Sequence, residues 1–155
     1  MPADAAVPNI SDGEMIAMFP GHEIDHDNKH FYRGWLGRRL LMNRCADCGL
    51  WHHPPQPLCP ECWSFDVEPA EVLGRGSIHL LIRLHQGPPA AGVDYAAGPY
   101  PVVVVELQEQ AGLRFTSTIV NYAMSDLEIG APVELTWIDR SGVPFPVFQP
   151  ASSTV

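Results

Sequence analysis

Apolar and polar positions along this chain keep two different rhythms. Over residues 25–36 the large side chains recur at helical spacing. Phe31 and Trp35, with Tyr32 and Leu36 beside them, make an aromatic stripe. Asp25 or Asp27 can cap the start, basic residues gather toward the end, and Gly34 and Gly37 weaken the helix and stop it. So short a stripe holds no core of its own and must pack on a neighbouring element or another chain. From residue 72 the period falls to two. Ile78, Leu80, Ile82 and Leu84 alternate with His79, Leu81, Arg83 and His85, which predicts a strand with one core face. Val102-Val103-Val104-Val105 is apolar on both sides of the pleat, so one side should lie under something other than a barrel core. Further strands are expected over 113–121, 133–139 and 143–148, the last an edge because of Pro144 and Pro146. Ser125-Asp126-Leu127-Glu128 has capping-box spacing and begins a helical turn that stops at Gly130. Five short strands with one helical turn before the fourth suit a mostly β, OB-type Greek-key barrel.

Between the two rhythms lie Cys45-Ala46-Asp47-Cys48-Gly49 and Leu58-Cys59-Pro60-Glu61-Cys62, which use all four cysteines of the chain. A two-residue spacer lets both thiolates of a pair face one ion, and two such turns together make a closed tetrahedral site of structural type. One structural zinc held by Cys45, Cys48, Cys59 and Cys62 is therefore expected. His52 and His53 could in principle replace a ligand, but four thiolates leave no need for them. A redox dithiol would want a single Cys-x-x-Cys at a strand end in a βαβ unit, and none is visible. Residues 39–43 read as the strand entering the first knuckle, 51–57 as a proline-held turn between knuckles, and 65–71 as a short linker. The expected divisions are a flexible arm (1–24), helix plus zinc ribbon (25–66), OB-fold domain (67–150) and tail (151–155).

Charge refines this picture. The net charge of −9 argues against a general binder of phosphate backbones. Five of the nine basic residues, Lys29, Arg33, Arg38, Arg39 and Arg44, nevertheless crowd just before the first knuckle. They form either a local anion site or a solvated face balancing a thiolate-rich centre. No apolar run approaches a membrane span, and residues 1–20 lack the basic start and apolar stretch of a secretory signal. Paired thiols without such a signal fit the cytoplasm.

Two other stretches invite a function and have a plain alternative. His22, His26 and His30 lie four apart, as a metal stripe or a solvated helix face. Residues 86–101 form a long Gly, Pro and Ala loop containing Tyr95 and Tyr100, either an interface loop or a mobile surface loop.

The order of elements resembles the acyl-CoA-associated family once catalogued as domain of unknown function number thirty-five. The resemblance rests on Phe31-Tyr32-Arg33-Gly34-Trp35, the two cysteine pairs, Pro54-Pro55, Gly74-Arg75-Gly76, Pro99-Tyr100-Pro101, Val105-Glu106-Leu107 and Ile129-Gly130-Ala131-Pro132-Val133, and it covers about residues 25–150. It implies a rubredoxin-like zinc ribbon followed by an OB-fold, in the small subunit of a complex with a thiolase-fold, lipid-transfer-protein-like aldolase or thiolase. Such complexes act on acyl-CoA by retro-aldol cleavage in steroid side-chain degradation, by thiolysis or by acyl transfer. The catalytic residues belong to the large partner, so none carries over to this chain. Phe31, Trp35, Tyr95 and Tyr100 are then the expected partner-interface residues, with acyl-CoA at or near that interface. The reading from another class is a single-stranded nucleic-acid-binding ribbon and OB module, which would want basic grooves that the acidic barrel half does not offer.

Overall fold

The computed structural model describes residues 7–87 and 93–152. Two compact units emerge. One holds the chain up to Gly74 together with Trp137–Pro146; the other holds Arg75–Thr136 and the chain from Val147 onward. No helix among the described residues is long and apolar enough to cross a membrane.

The first unit begins where a flexible arm was expected. Residues 1–6 lie outside the described residues, but Asp12–Ala17 form helix α1, closed by a reciprocal capping box between Ser11 and Glu14. Met15 and Phe19 are buried. Asp12 accepts from Arg33 (2.6 Å) and Lys29 (3.1 Å), and Arg33 also donates to the Ile10 carbonyl. Those two cations hold the Asp12 carboxyl below its usual range. Part of the basic cluster is thus consumed in tying the N-terminal segment to the next helix, an arrangement no local pattern announces.

Helix α2 spans Lys29–Leu36 and starts four residues later than its spacing predicts. The cause is Asp25, whose carboxylate accepts from the amides of Asp27 and Asn28 and so makes a turn instead of a cap. At Gly34 an added Cβ would lie 2.7 Å from the Arg39 carbonyl, so the chain after the helix can return this closely only past a glycine. The aromatic stripe, expected to meet a partner, packs within its own unit. Trp35 is 5% exposed, and its ring meets Phe19, Phe31, Tyr32 and Phe145 at 5.1–5.8 Å. Phe31 is likewise buried and stacks on His53. The physical reason is area: rings of this size, with α1 supplying Phe19, are better removed from water by one another than left waiting for another chain.

Strands β1 (Leu41–Cys45), β2 (Trp51–His52) and β3 (Val67–Glu71) form an antiparallel sheet in the order β2-β1-β3. β3 takes the place of the expected linker. Its Val-Glu-Pro-Ala-Glu sequence has little strand character, but it pairs with β1 over five residues, from Leu41 opposite Glu71 to Cys45 opposite Val67. Tertiary pairing outweighs propensity here.

The second sheet contains β4 (Arg75–Leu84), β5 (Tyr100–Leu107), β6 (Arg114–Ser117), β7 (Pro132–Arg140) and β8 (Val143–Pro150), ordered β6-β5-β4-β7-β8. The proline-bearing β8 stands last in that order, although it does not remain a free edge. The sheet curls until its ends meet. Phe148 donates to the Thr118 carbonyl and accepts from the Val120 amide, which closes the barrel beyond β6. The helical turn before β7 is a 3-10 turn at Met124–Asp126, one residue earlier than expected, where the Asp126 carboxylate accepts from the Ala123 amide. Gly76 permits the tightest strand approach, since a Cβ there would stand 2.2 Å from the Glu106 carbonyl.

β4 departs from its alternation. Ile78 lies inside, opposite Val105, but a bulge before Leu80 reverses the faces. Leu80 and Ile82 then stand 40% and 44% exposed, paired with Val104 and Val102, and Leu84 pairs with Tyr100. This outward apolar strip accounts for the two-sided character of the valine run.

Trp35→Ala in the isolated chain should cost about 3–5 kcal/mol in denaturant unfolding, the usual loss for emptying a buried large aromatic site. A docking residue would leave the isolated chain nearly unchanged.

Burial, with His52 nearby, pushes His53 down to about 4. Its folded-state value thus lies below the unfolded value near 6.5. The associated stability is present above about pH 6.5 and is lost as the pH falls toward 4, by about 3 kcal/mol in the limit. Comparing His53→Phe with the unaltered chain over that interval isolates this loss from other acid effects: the variant should show the smaller decline in denaturation midpoint.

Candidate metal centre

The two knuckles share one backbone design. In the first, the Gly49 amide donates to the Cys45 carbonyl (2.9 Å); in the second, the Trp63 amide donates to the Cys59 carbonyl (3.0 Å). Each turn closes with a residue at positive φ, Gly49 at 76° and Trp63 at 62°. β1 delivers Cys45 to the first knuckle, and the Ala46 amide donates to the Asp66 carbonyl (2.8 Å), which holds the chain after the second knuckle against the first. The Ser64 hydroxyl donates to the Asp47 carboxylate, a second tie between the same two segments.

These turns bring Cys45, Cys48, Cys59 and Cys62 together, their sulfurs all within 4.8 Å of one another. The closest pairs, Cys45 with Cys62 and Cys48 with Cys59, are 3.6 Å apart, and all four are free thiols. That separation is far beyond a disulfide bond of about 2.0 Å. It fits the edge of a tetrahedron, since a tetrahedral ion with metal–sulfur bonds of about 2.3 Å puts its sulfurs about 3.8 Å apart. Cys45 and Cys59 are buried, whereas Cys48 and Cys62 face outward.

The electrostatics also fit a cation. Amide N–H groups of Cys62 and Glu61 draw Cys59 down to about 7. At Cys62 the Ser64 amide pulls downward, but desolvation and the Cys48, Cys45 and Cys59 thiols outweigh it and push the group up to about 12. One thiolate forms readily and the last resists, because four negative sulfurs crowd one another unless a positive ion lies among them. The donor set supplies four sulfurs and leaves no position for a reacting ligand.

The other residues singled out by the sequence lie elsewhere. His52 and His53 are outside the thiol cluster, and His53 packs on Phe31. The histidine stripe does not gather: His22 packs edge-on against Phe19 and Tyr32, while His26 and His30 border a groove of about 320 Å³ beside Phe65. Tyr95 lies half-buried in a 3-10 turn, Tyr95–Ala97, capped by Asp94, and Tyr100 opens β5. Residues 88–92 of the expected interface loop fall outside the described residues. Sequence reasoning missed the exposed Trp63, although its place in the knuckle, where Gly49 stands in the other, was a usable signal.

Comparison with known proteins agrees with this geometry. Residues 37–68 match the rubredoxin-like zinc ribbon domain of ChsH2, and residues 70–137 match the ChsH2 C-terminal OB-fold domain. A chain of the solved Ltp2-ChsH2(DUF35) aldolase superposes with a TM-score of 0.73 at 38% identity, covering 83% of this chain and 98% of that one. A "Probable enoyl-CoA hydratase alpha subunit" of Thermomonospora curvata is 38% identical over 136 residues, 87% of this chain but only 41% of that protein. A "DUF35 domain-containing scaffold protein" of Methanothermobacter thermautotrophicus is 35% identical over 99 residues, covering 63% of this chain and 71% of the relative. With the cysteine cluster and the closed five-stranded barrel in place, the chain belongs to the ChsH2/DUF35 family of zinc-ribbon and OB-fold proteins.

Proposed function

We propose that this chain is a non-catalytic subunit that binds and supports a thiolase-fold partner acting on acyl-CoA, by retro-aldol cleavage of the steroid side-chain type or by thiolysis or acyl transfer. The observation that carries the reading is the likeness to a chain of the Ltp2-ChsH2(DUF35) aldolase, which extends over 98% of that chain. The scaffold naming of the archaeal relatives supports it. The ion held by Cys45, Cys48, Cys59 and Cys62 is one structural zinc per chain, which the all-sulfur donor set and the tetrahedral spacing favour. The complex works in the cytoplasm, where free thiols persist.

The partner-facing surface of the barrel includes the strip where Leu80 meets Val104, Ile82 meets Val102 and Leu84 meets Tyr100. Tyr95, in its 3-10 turn, and Tyr100 belong to the same surface, with acyl-CoA at or near it. Contiguous apolar area of this kind is what an obligate subunit leaves for its partner.

Two measurements test the reading. Metal analysis of the purified chain should give one zinc per chain, and Cys59→Ser should lose both the metal and the cooperative unfolding of the first unit, because metal binding and ribbon folding are coupled. A metal-free, folded preparation contradicts the structural zinc. Titration of the chain with the Ltp2 component of the aldolase should give a stable complex whose aldol-cleaving activity on acyl-CoA exceeds that of Ltp2 alone. Absence of a complex overturns the subunit reading.

A further inference from the structure

The second knuckle departs from the first at one position. Both turns end on a residue at positive φ whose amide donates to the carbonyl of the leading cysteine. In the first knuckle that residue is Gly49, which takes the left-handed region without strain. In the second it is Trp63, at φ 62°, a conformation unfavourable for any residue with a Cβ and uncommon for a bulky one. The ring gains nothing inside the chain in return. Trp63 is 75% exposed and Phe65, two residues on, is 81% exposed. Neither ring meets another aromatic or a cation among the described residues. Arg38, Asn121 and Ser141 also take positive φ, but only at Trp63 does that backbone carry a large apolar ring left in water, and this combination points to a role outside the fold.

The charges around it indicate what. Asp47, Glu61, Asp66 and Glu68, on and just after the knuckles, are all exposed, and none is in an ion pair among the described residues. Of the five cations that crowd before the first knuckle, four are engaged: Lys29 and Arg33 hold Asp12, Arg39 holds Glu71, and Arg44 lies over the Trp51 ring, while the exposed Arg38 is in no ion pair among the described residues. Two bare aromatic rings on a segment whose carboxylates have no cation partner complement a surface that is apolar at its centre and basic at its rim. They repel a nucleic-acid backbone.

We propose that Trp63, with Phe65, is the anchor through which the second knuckle docks on a basic-rimmed apolar patch of the partner enzyme. This inference rests on the subunit reading above. Trp is among the residues most enriched at the energetic centres of protein interfaces, and charges at a rim act mainly on association rate.

The test uses the full zinc-loaded chain and the Ltp2 component of the aldolase as probe. Trp63→Gly places at φ 62° the residue that the first knuckle uses. It should keep the zinc content and a melting temperature at or above that of the unaltered chain, while raising the dissociation constant tenfold or more. Phe65→Ala should weaken binding to a lesser degree. The triple change Glu61→Gln, Asp66→Asn and Glu68→Gln should slow association several-fold and flatten its dependence on salt. Failure of the unaltered chain to bind overturns the subunit reading and this inference with it. Undiminished binding by Trp63→Gly overturns the inference and leaves the subunit reading standing. A lower melting temperature in Trp63→Gly would make the residue structural, and salt-independent association would remove the basic rim. Self-association of the free chain that Trp63→Gly abolishes would assign the anchor to a second copy instead.

Discussion

Four sulfurs held within 4.8 Å of one another are the constraint on which the first unit depends. As thiolates they repel, and a cation among them would turn that repulsion into attraction. Everything that fixes the knuckles serves to hold that spacing. The Cys45 and Cys59 carbonyls accept the closing amides, the Ala46 amide binds the Asp66 carbonyl, and β3 pairs along the whole of β1. The paired strands are short, and β2 contributes only Trp51 and His52. Such a sheet is marginal alone, which is why a metal staple at one end and an aromatic cluster are both needed.

That aromatic cluster is the second support. α1 is followed by Phe19, α2 brings Phe31, Tyr32 and Trp35, and the pair of salt bridges from Lys29 and Arg33 to Asp12 joins the two helices. These bridges are largely exposed, so their individual contribution is small. Their part is to register α1 so that Met15 and Phe19 reach the interior, where burial of apolar area supplies the larger share.

The chemistry of the cysteine pairs was legible in the sequence because ligand spacing is local: two residues between thiols decide the turn without help from the rest of the chain. The barrel was legible for a similar reason, since period-two runs and turn residues repeat along it. What escaped was set by distant pairing. β3 looked like a linker because Val67–Glu71 has weak strand propensity, and only the β1 edge makes it a strand. The N-terminal segment looked free because the partners of Asp12, Lys29 and Arg33, lie 17 and 21 residues away. α2 is shorter than its pattern because Asp25 can cap a helix or close a turn, and its bonds to Asp27 and Asn28 choose the turn.

The remaining departures have another character. At Leu80 and Ile82 a β-bulge turns apolar side chains out of the barrel, and at Trp63 a positive φ accompanies a large ring that stands in water. Both are local backbone devices that override a hydrophobic pattern, and both leave apolar area uncovered when regular geometry would avoid it. Features that cost stability in an otherwise consistent fold mark surfaces under selection for something else. The partner surface and the Trp63 anchor proposed above fall at these positions, where sequence pattern and structure disagree most sharply.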